Sequence, residues 1–242
     1  MTPLVRSTFF EIAYWLVTIS FAVICAVLAV LPGRRPLSFG LFSYGRTMAF
    51  VMRFVAGIRI DLRGTRYLSR TPSVIAAKHQ SWGDPLIMVA TVRPLAFVAG
   101  DHLMKFPLIG FILKKAGAVV LSNQGGEAAR ARIEEGMKRL KSDKRHVLIY
   151  PEGHLSAPGE KHPYKKGVYH LAHDLNRPVV PVATSLGLAW DRKSFVKRPR
   201  TVVVEFLEPI QPGADKEAFM RQLEDTIEGR TAELLSAGNG EG

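Results

Sequence analysis

The sequence predicts an α/β domain preceded by a membrane-associated N-terminus, on three observations. Residues 12–31 form an uncharged apolar run. From residue 58 to about residue 235, strand-like stretches alternate with helical periodicity, the pattern of a sheet with helices on its faces. Two of those strands, Ser73–Ala77 and His146–Tyr150, each run into a loop dense in polar and ionisable residues. At 242 residues the chain fits one domain with an appendage and can bury a sizeable core.

The elements follow in order. Ile12 to Leu31 is a run of 20 residues without a charge. At about 1.5 Å per residue it can cross a hydrocarbon core about 30 Å thick. A signal peptide is the rival reading. Against it, Arg6 is the only basic residue ahead of the run, Glu11 offsets it, and no small-x-small cleavage site follows. A retained transmembrane helix is therefore expected. Arg34, Arg35, Arg46 and Arg53 follow the run, a bias that places its C-terminal side in the cytoplasm.

Residues 37–57 carry a second helical pattern. Leu41, Tyr44, Met48, Met52 and Val55 recur at spacings of three and four, while Arg46 and Arg53 share another face. The pattern suits an amphipathic helix in the headgroup layer and equally a helix packed on the domain. Residues 1–57 are thus read as an anchor and 58–237 as the α/β domain. The tail 238–242 is read as disordered.

Ile58–Arg63 alternates strictly and ends at Gly64, as a half-wet strand does. Leu95–Ala99 is the next strand after Ser73–Ala77. Phe106–Lys115 is a short helix entered through Pro107, and Ala118–Leu121 is a strand. Glu127–Lys141 is a helix with Ile133, Met137 and Leu140 inward. Its acidic start and basic end complement the helix dipole. A helix over 166–175 and strands over 179–184 and 201–207 follow. The last helix starts from Asp215 as N-cap and turns Phe219, Leu223, Ile227 and Leu234 inward to about Leu235.

Formal net charge is +12, which implies anionic partners: nucleic acid, acidic lipid or a phosphorylated substrate. No helix-turn-helix, zinc-finger or RNA-recognition signature is present, which disfavours nucleic acid. Cys25 is the single cysteine, so neither an intrachain disulfide nor a cysteine-based metal site can form. H-E-x-x-H is absent, and His170 and His173 read as surface residues, so no metal is expected.

The chemistry-bearing stretch is Lys78-His79-Gln80-Ser81-Trp82-Gly83-Asp84-Pro85. His79 sits where a strand gives way to a loop, and Asp84 is placed at the N-cap of a helix that Pro85 opens. A carboxylate on one imidazole nitrogen sets the tautomer and raises the basicity of the other, which can then take a proton from an alcohol. The bland alternative makes Asp84 a helix cap and His79 a surface histidine. The second strand, His146–Tyr150, leads into Pro151-Glu152-Gly153-His154.

Together, KHQSWGD and YPEGHLS resemble the glycerolipid acyltransferases, most closely the bacterial 1-acyl-glycerol-3-phosphate (lysophosphatidic acid) acyltransferases. That family carries N-H-x-x-x-x-D and a strand leading into F-P-E-G-T-R. The resemblance continues through Tyr164–Gly167, Pro178–Val182 and Val202–Phe206, in the family's order and spacing. It implies a single mixed-sheet acyltransferase domain behind membrane-embedded helices, on the cytoplasmic side of a bacterial inner membrane. It implies an O-acyltransferase of phospholipid synthesis that moves a fatty acyl group from acyl-CoA or acyl carrier protein to a glycerol hydroxyl. No cofactor is implied beyond that donor. His79 is the implied base and Asp84 its orienting partner. Glu152 and Gly153 border the acceptor's polar head, and His154, Lys165 and Lys166 are candidates to meet its phosphate. Backbone amides near Gly83 or Gly153 are candidate oxyanion donors.

Two positions depart from the family. Leu155 stands where an arginine helps hold the phosphate, and Ser122-Asn123 stand where Asp-Arg is usual. Each missing arginine removes a bidentate contact worth roughly 1.5–3 kcal/mol. Lys165, Lys166, His154 or Lys115 would have to replace them, or the acceptor's head group differs. Two alternatives therefore stay open: an acyltransferase for another lyso-lipid, such as a lyso-ornithine lipid, and a non-catalytic lipid-binding relative.

Overall fold

The computed structural model describes residues 2–121 and 127–239. Ser122 and Asn123, and the last three residues of the tail, lie outside the described residues, as does the side chain of Ile133. The strands are β1 (Arg59–Arg63), β2 (Val74–Ala77), β3 (Leu95–Gly100), β4 (Val119–Leu121), β5 (His146–Ile149), β6 (Val179–Thr184) and β7 (Thr201–Phe206). The helices are α1 (Pro3–Val30), α2 (Arg35–Val51), α3 (Asp84–Thr91), α4 (Pro107–Ala116), α5 (Glu127–Ser142), α6 (Gly167–Leu175) and α7 (Lys216–Asn239). One sheet takes all seven strands in the order β1-β7-β6-β2-β5-β3-β4. Only the β6–β7 pair is antiparallel, so the sheet is mixed.

β2 lies at the centre, between β5 and β6, and all four of its residues are buried. Its side chains alternate between two cores, as the pleat requires. Ile75 and Ala77 join Met48, Met52, Ile87, Leu148, Val182 and Trp190 on one face. Val74 and Ala76 join Val147, Val168, Leu171, Leu223 and Ile227 on the other. Helices α2 and α3 therefore cover one face and α6 and α7 the opposite one. Phe219, Leu223, Ile227 and Leu234 are all buried, as the spacing predicts. β1 is an edge strand paired only to β7, and Leu62 is left exposed there, where strict alternation predicts it inward.

α2 runs through a single π-helical turn over Met52–Ala56 and packs on the domain, with Leu37, Met48 and Met52 fully buried. Phe39, Phe50 and Phe54 stay exposed on its outer side. Gly45 lets α2 approach α3 closely: a Cβ there would lie 2.7 Å from the Leu86 carbonyl oxygen. α7 extends through Gly238 to Asn239, so the first two residues of the expected tail are helical.

α1 is held at both ends by the same domain. Near its start, the Lys197 amide donates to Ser7 Oγ at 2.9 Å, and the Lys197 ammonium pairs with Glu11. Phe10 is fully buried, edge-on to Trp190 with ring centroids 5.0 Å apart. At its far end, Lys115 Nζ donates to the Leu31 carbonyl at 2.7 Å, and Arg34 pairs with Asp143 at 3.3 Å. Between these points, Leu4, Phe9, Ile12, Leu16, Ile19, Val23, Val27 and Val30 form an exposed apolar stripe along the whole helix. The most apolar 18-residue window of α1 is only 11% buried.

Candidate active site

The register of β2 and β5 brings the two motifs together. The strands are parallel and Ala76 pairs with Ile149. His79 lies three residues beyond Ala76, and Glu152 three residues beyond Ile149. Both loops therefore leave the sheet at the same edge, at the carboxyl ends of adjacent strands. The loops then grip each other. The His79 carbonyl accepts from the Ser156 amide at 2.8 Å, and the His79 amide points to Glu152 Oε1 at 3.5 Å.

His79 Nδ1 lies 3.0 Å from Asp84 Oδ2. The same oxygen accepts from the amides of Gln80 at 2.7 Å and Ser81 at 2.8 Å. Asp84 is buried, so these three hydrogen bonds compensate its lost hydration. It is the first residue of α3, with Gly83 before it. This corrects the N-cap placement: the carboxylate folds back onto the loop and caps no α3 amide. The positive end of the helix dipole still favours it.

With Nδ1 committed to Asp84, Nε2 is the nitrogen left for a substrate. The His79 side chain is 17% exposed, enough for a small group to reach one edge. Its ring stacks on Tyr150, with centroids 4.1 Å apart and planes 20° from parallel. Burial, reinforced by the nearby Asp84, raises the Tyr150 phenol well above its ordinary pKa and keeps it protonated. The Tyr150 hydroxyl and Asp84 Oδ1 are buried without a hydrogen-bond partner.

The second motif divides by exposure. Gly153 adopts φ = +75°, and the Lys165 side chain crosses directly above it. A Cβ at Gly153 would sit 2.6 Å from Lys165 Nζ. His154 is exposed; its Nδ1 lies 3.0 Å from the Glu152 carbonyl oxygen and its ring meets His162 edge-on at 4.2 Å. Lys165 and His154 thus reach the site edge. Lys166 does not: its ammonium turns to Glu217 on α7, 3.5 Å away. Glu152 is buried with its carboxylate turned inward, to Lys78 and to Ser156 Oγ. Its carboxylate oxygens are turned to Lys78, Ser156 and the His79 amide, not to open space as the expected acceptor contact would require.

Three other expectations change. The Gly83 amide donates to Ser81 Oγ at 3.1 Å and the Gly153 amide to the Tyr150 carbonyl at 3.0 Å. These two amides are already engaged, which leaves the oxyanion role to other amides near them. Lys115 is spent on the Leu31 carbonyl, at the end of α1. Leu155 is buried, and its carbonyl accepts from Arg192 Nη1 at 2.5 Å. An arginine therefore does stand beside this position, supplied by the loop after β6. No motif signals Arg192, because a loop arginine beside Lys193 reads as ordinary surface. Among the described residues, no group of three His, Cys, Asp or Glu side chains could hold a metal ion.

Comparison with known proteins bears on the family and the fold. The family model described as Acyltransferase matches residues 59–185. A 1-acyl-sn-glycerol-3-phosphate acyltransferase from Pseudomonas aeruginosa is 29% identical over 176 residues, covering 72% of this chain and 68% of that protein. One from Saccharomyces cerevisiae is 28% identical over 194 residues, covering 78% of this chain and 63% of its own length. The chain thus spans about two thirds of the curated relatives it matches. The crystal structure of a 1-acyl-sn-glycerophosphate acyltransferase from Thermotoga maritima shares the fold, with a TM-score of 0.76 over 95% of this chain and 97% of that one, at 16% identity.

Proposed function

The chain belongs to the acyltransferase family, whose model takes in residues 59–185, and from that premise we propose that it is a membrane-bound 1-acylglycerol-3-phosphate O-acyltransferase. It moves a fatty acyl group from a thioester, acyl-CoA or acyl carrier protein, to the free hydroxyl of 1-acyl-glycerol-3-phosphate, and phosphatidic acid is the product. The observation that carries this reading is the 3.0 Å contact between His79 Nδ1 and Asp84 Oδ2, which leaves Nε2 at the open edge of the ring.

His79 Nε2 takes the hydroxyl proton as the acceptor oxygen attacks the thioester carbonyl. Asp84 holds the ring and stabilises the imidazolium as it forms. Collapse of the tetrahedral intermediate breaks the carbon–sulfur bond, and the proton on Nε2 passes to the departing thiolate. Positioned proton transfer of this kind is worth about 10²–10⁴-fold in rate. A thioester is already activated, so this reading calls on no further cofactor.

The acceptor phosphate carries close to two negative charges. Lys165 supplies the site-edge charge and His154 a ring N–H in this reading, with Arg192 behind Leu155. A lyso-lipid with another head group is the second reading. It is favoured by Leu155, whose burial puts an apolar side chain where relatives place an arginine.

The apolar face of α1 is the proposed membrane contact, on the cytoplasmic side. At about 1.5 Å per residue, 28 helical residues span about 42 Å. A helix that crossed a bilayer would carry its ends to opposite sides, yet both ends of α1 bind one domain. The reading that fits is a helix lying along the membrane surface, its apolar stripe in the acyl region.

The test is acyl transfer by the full chain in membranes, with a panel of lyso-acceptors differing only in head group. Preference for lysophosphatidic acid supports the proposal. Transfer confined to a zwitterionic or amino-acyl lyso-lipid replaces the acceptor, and no transfer to any acceptor overturns the reading.

A further inference from the structure

Beneath the two motifs lies a buried ionic cluster that the proposed chemistry does not itself use. The Lys78 side chain has no solvent exposure. Its ammonium has three N–H donors, and three acceptors meet them: Glu228 Oε1 at 2.8 Å, the Glu160 carbonyl at 3.0 Å and Glu152 Oε2 at 3.1 Å. Glu228 Oε1 also accepts from the Tyr164 hydroxyl at 2.8 Å. Burial and Glu228 raise the Tyr164 phenol far above its ordinary pKa, so it remains a donor. Glu152 Oε2 accepts from Ser156 Oγ as well.

The cluster's place in the fold gives it a consequence for His79. Lys78 is the residue before His79, and Glu152 and Ser156 are the two residues that hold the His79 backbone amide and carbonyl. Glu228 stands on α7, 150 positions beyond Lys78 and outside the family-model match at 59–185. Among the described residues, it is the one carboxylate paired with Lys78 that belongs to neither motif loop.

We propose that Glu228 is a positioning residue of the acyltransferase site: through Lys78 it orients Glu152, and so sets the His79 backbone and ring against the second motif. Without Glu228, one buried N–H of the Lys78 ammonium would have no partner and half of its carboxylate counter-charge would be gone, at a high cost. Glu228 completes that set from the opposite side, so Lys78 and Glu152 keep one geometry. The C-terminal helix is then part of the active-site apparatus and not only a cover for the sheet. The inference rests on the proposed function for its kinetic consequence alone.

The experiment uses the full chain in vesicles with lysophosphatidic acid as acceptor. Glu228→Ala is expected to lower kcat at least tenfold with acceptor KM within twofold. Glu228→Gln still accepts from Lys78 and Tyr164 and should stay within threefold of wild type. The double variant Lys78→Met/Glu228→Met replaces a buried ion pair with apolar volume, a change often neutral or stabilising. It should melt near wild type yet remain at least tenfold slow. A folded double variant with wild-type kcat overturns the proposal and leaves the cluster a stability element. Should these variants fail to fold, Glu228→Asp withdraws the carboxylate by one methylene and keeps its charge. An unchanged kcat there also overturns it. Amide exchange at Ser156, bonded to the His79 carbonyl, is read independently of activity. It should quicken at least tenfold in Glu228→Ala, and unchanged exchange overturns the proposal. If wild type transfers to no acceptor, the functional reading falls while this exchange result still decides the positioning.

Discussion

The imidazole of His79 lies face to face with the phenol of Tyr150, ring centroids 4.1 Å apart. Residue 79 lies just past β2 and residue 150 just past β5, so the stack joins the two loops at the His79 ring. It also leaves a buried hydroxyl without a hydrogen-bond partner. Tyr150→Phe keeps the stack and removes that unpaired group, whose burial costs about 1–3 kcal/mol. Its melting temperature is expected to equal or exceed that of wild type, and its acyl-transfer rate to stay within threefold. A rate tenfold lower would assign the hydroxyl a contact with the reacting atoms.

The His79–Asp84 pair sets the second prediction. His79→Ala should cut kcat at least a hundredfold with an unchanged melting temperature. Asp84→Asn still offers one oxygen to the Gln80 and Ser81 amides, so the loop should hold. It should nevertheless lose nearly as much activity, because the imidazolium loses its counter-charge. Near-normal turnover in a folded His79→Ala variant removes His79 as the base.

Lys165 and Lys166, adjacent in the chain, should separate kinetically. Lys165 crosses above Gly153 and Lys166 pairs with Glu217. Lys165→Ala should raise KM for lysophosphatidic acid severalfold with a smaller effect on kcat, whereas Lys166→Ala should leave both unchanged. Gly153→Ala should mimic Lys165→Ala, because its Cβ displaces the lysine and φ = +75° strains it further. Equal effects from the two lysine variants would remove Lys165 from the acceptor site. Leu155→Arg, which would help if position 155 faced the phosphate, should instead destabilise the fold, because the position is buried.

Membrane attachment should depend on the outer stripe of α1. Deleting residues 1–33 would also remove Phe10, which is fully buried against Trp190, so it tests folding as much as binding. Leu16→Lys/Val23→Lys alters two exposed positions only, 63% and 55% exposed. Co-sedimentation with lipid vesicles should fall at least threefold at an unchanged melting temperature. Undiminished sedimentation would place the membrane contact elsewhere.

Much of the fold could be read along the chain. The strands and most helices were legible to within a few residues, because alternation and 3.6-residue periodicity are local consequences of backbone geometry; α1 starts at Pro3, nine residues before the uncharged run. The proposed catalytic pair was legible for the same reason: His79 and Asp84 are five positions apart, on a loop and the first residue of the helix after it. The start of the expected tail was set too early, because α7 continues to Asn239 through residues too small and polar to show periodicity.

The sequence by itself determined the elements, the two motif loops and the apolar run at the N-terminus. Only the tertiary structure decided how they act on one another. Strand order placed β2 beside β5 and so joined residue 79 to residue 152. The crossing of α7 brought Glu228 to Lys78, and contacts at both ends of α1 hold it on the domain with its apolar stripe outward. Lys165 and Lys166 look alike in the chain because a lysine's partner is set by what stands across from it, not by its neighbours in sequence. A side chain's reach is a few ångströms, and only the folded packing decides which charge lies within it.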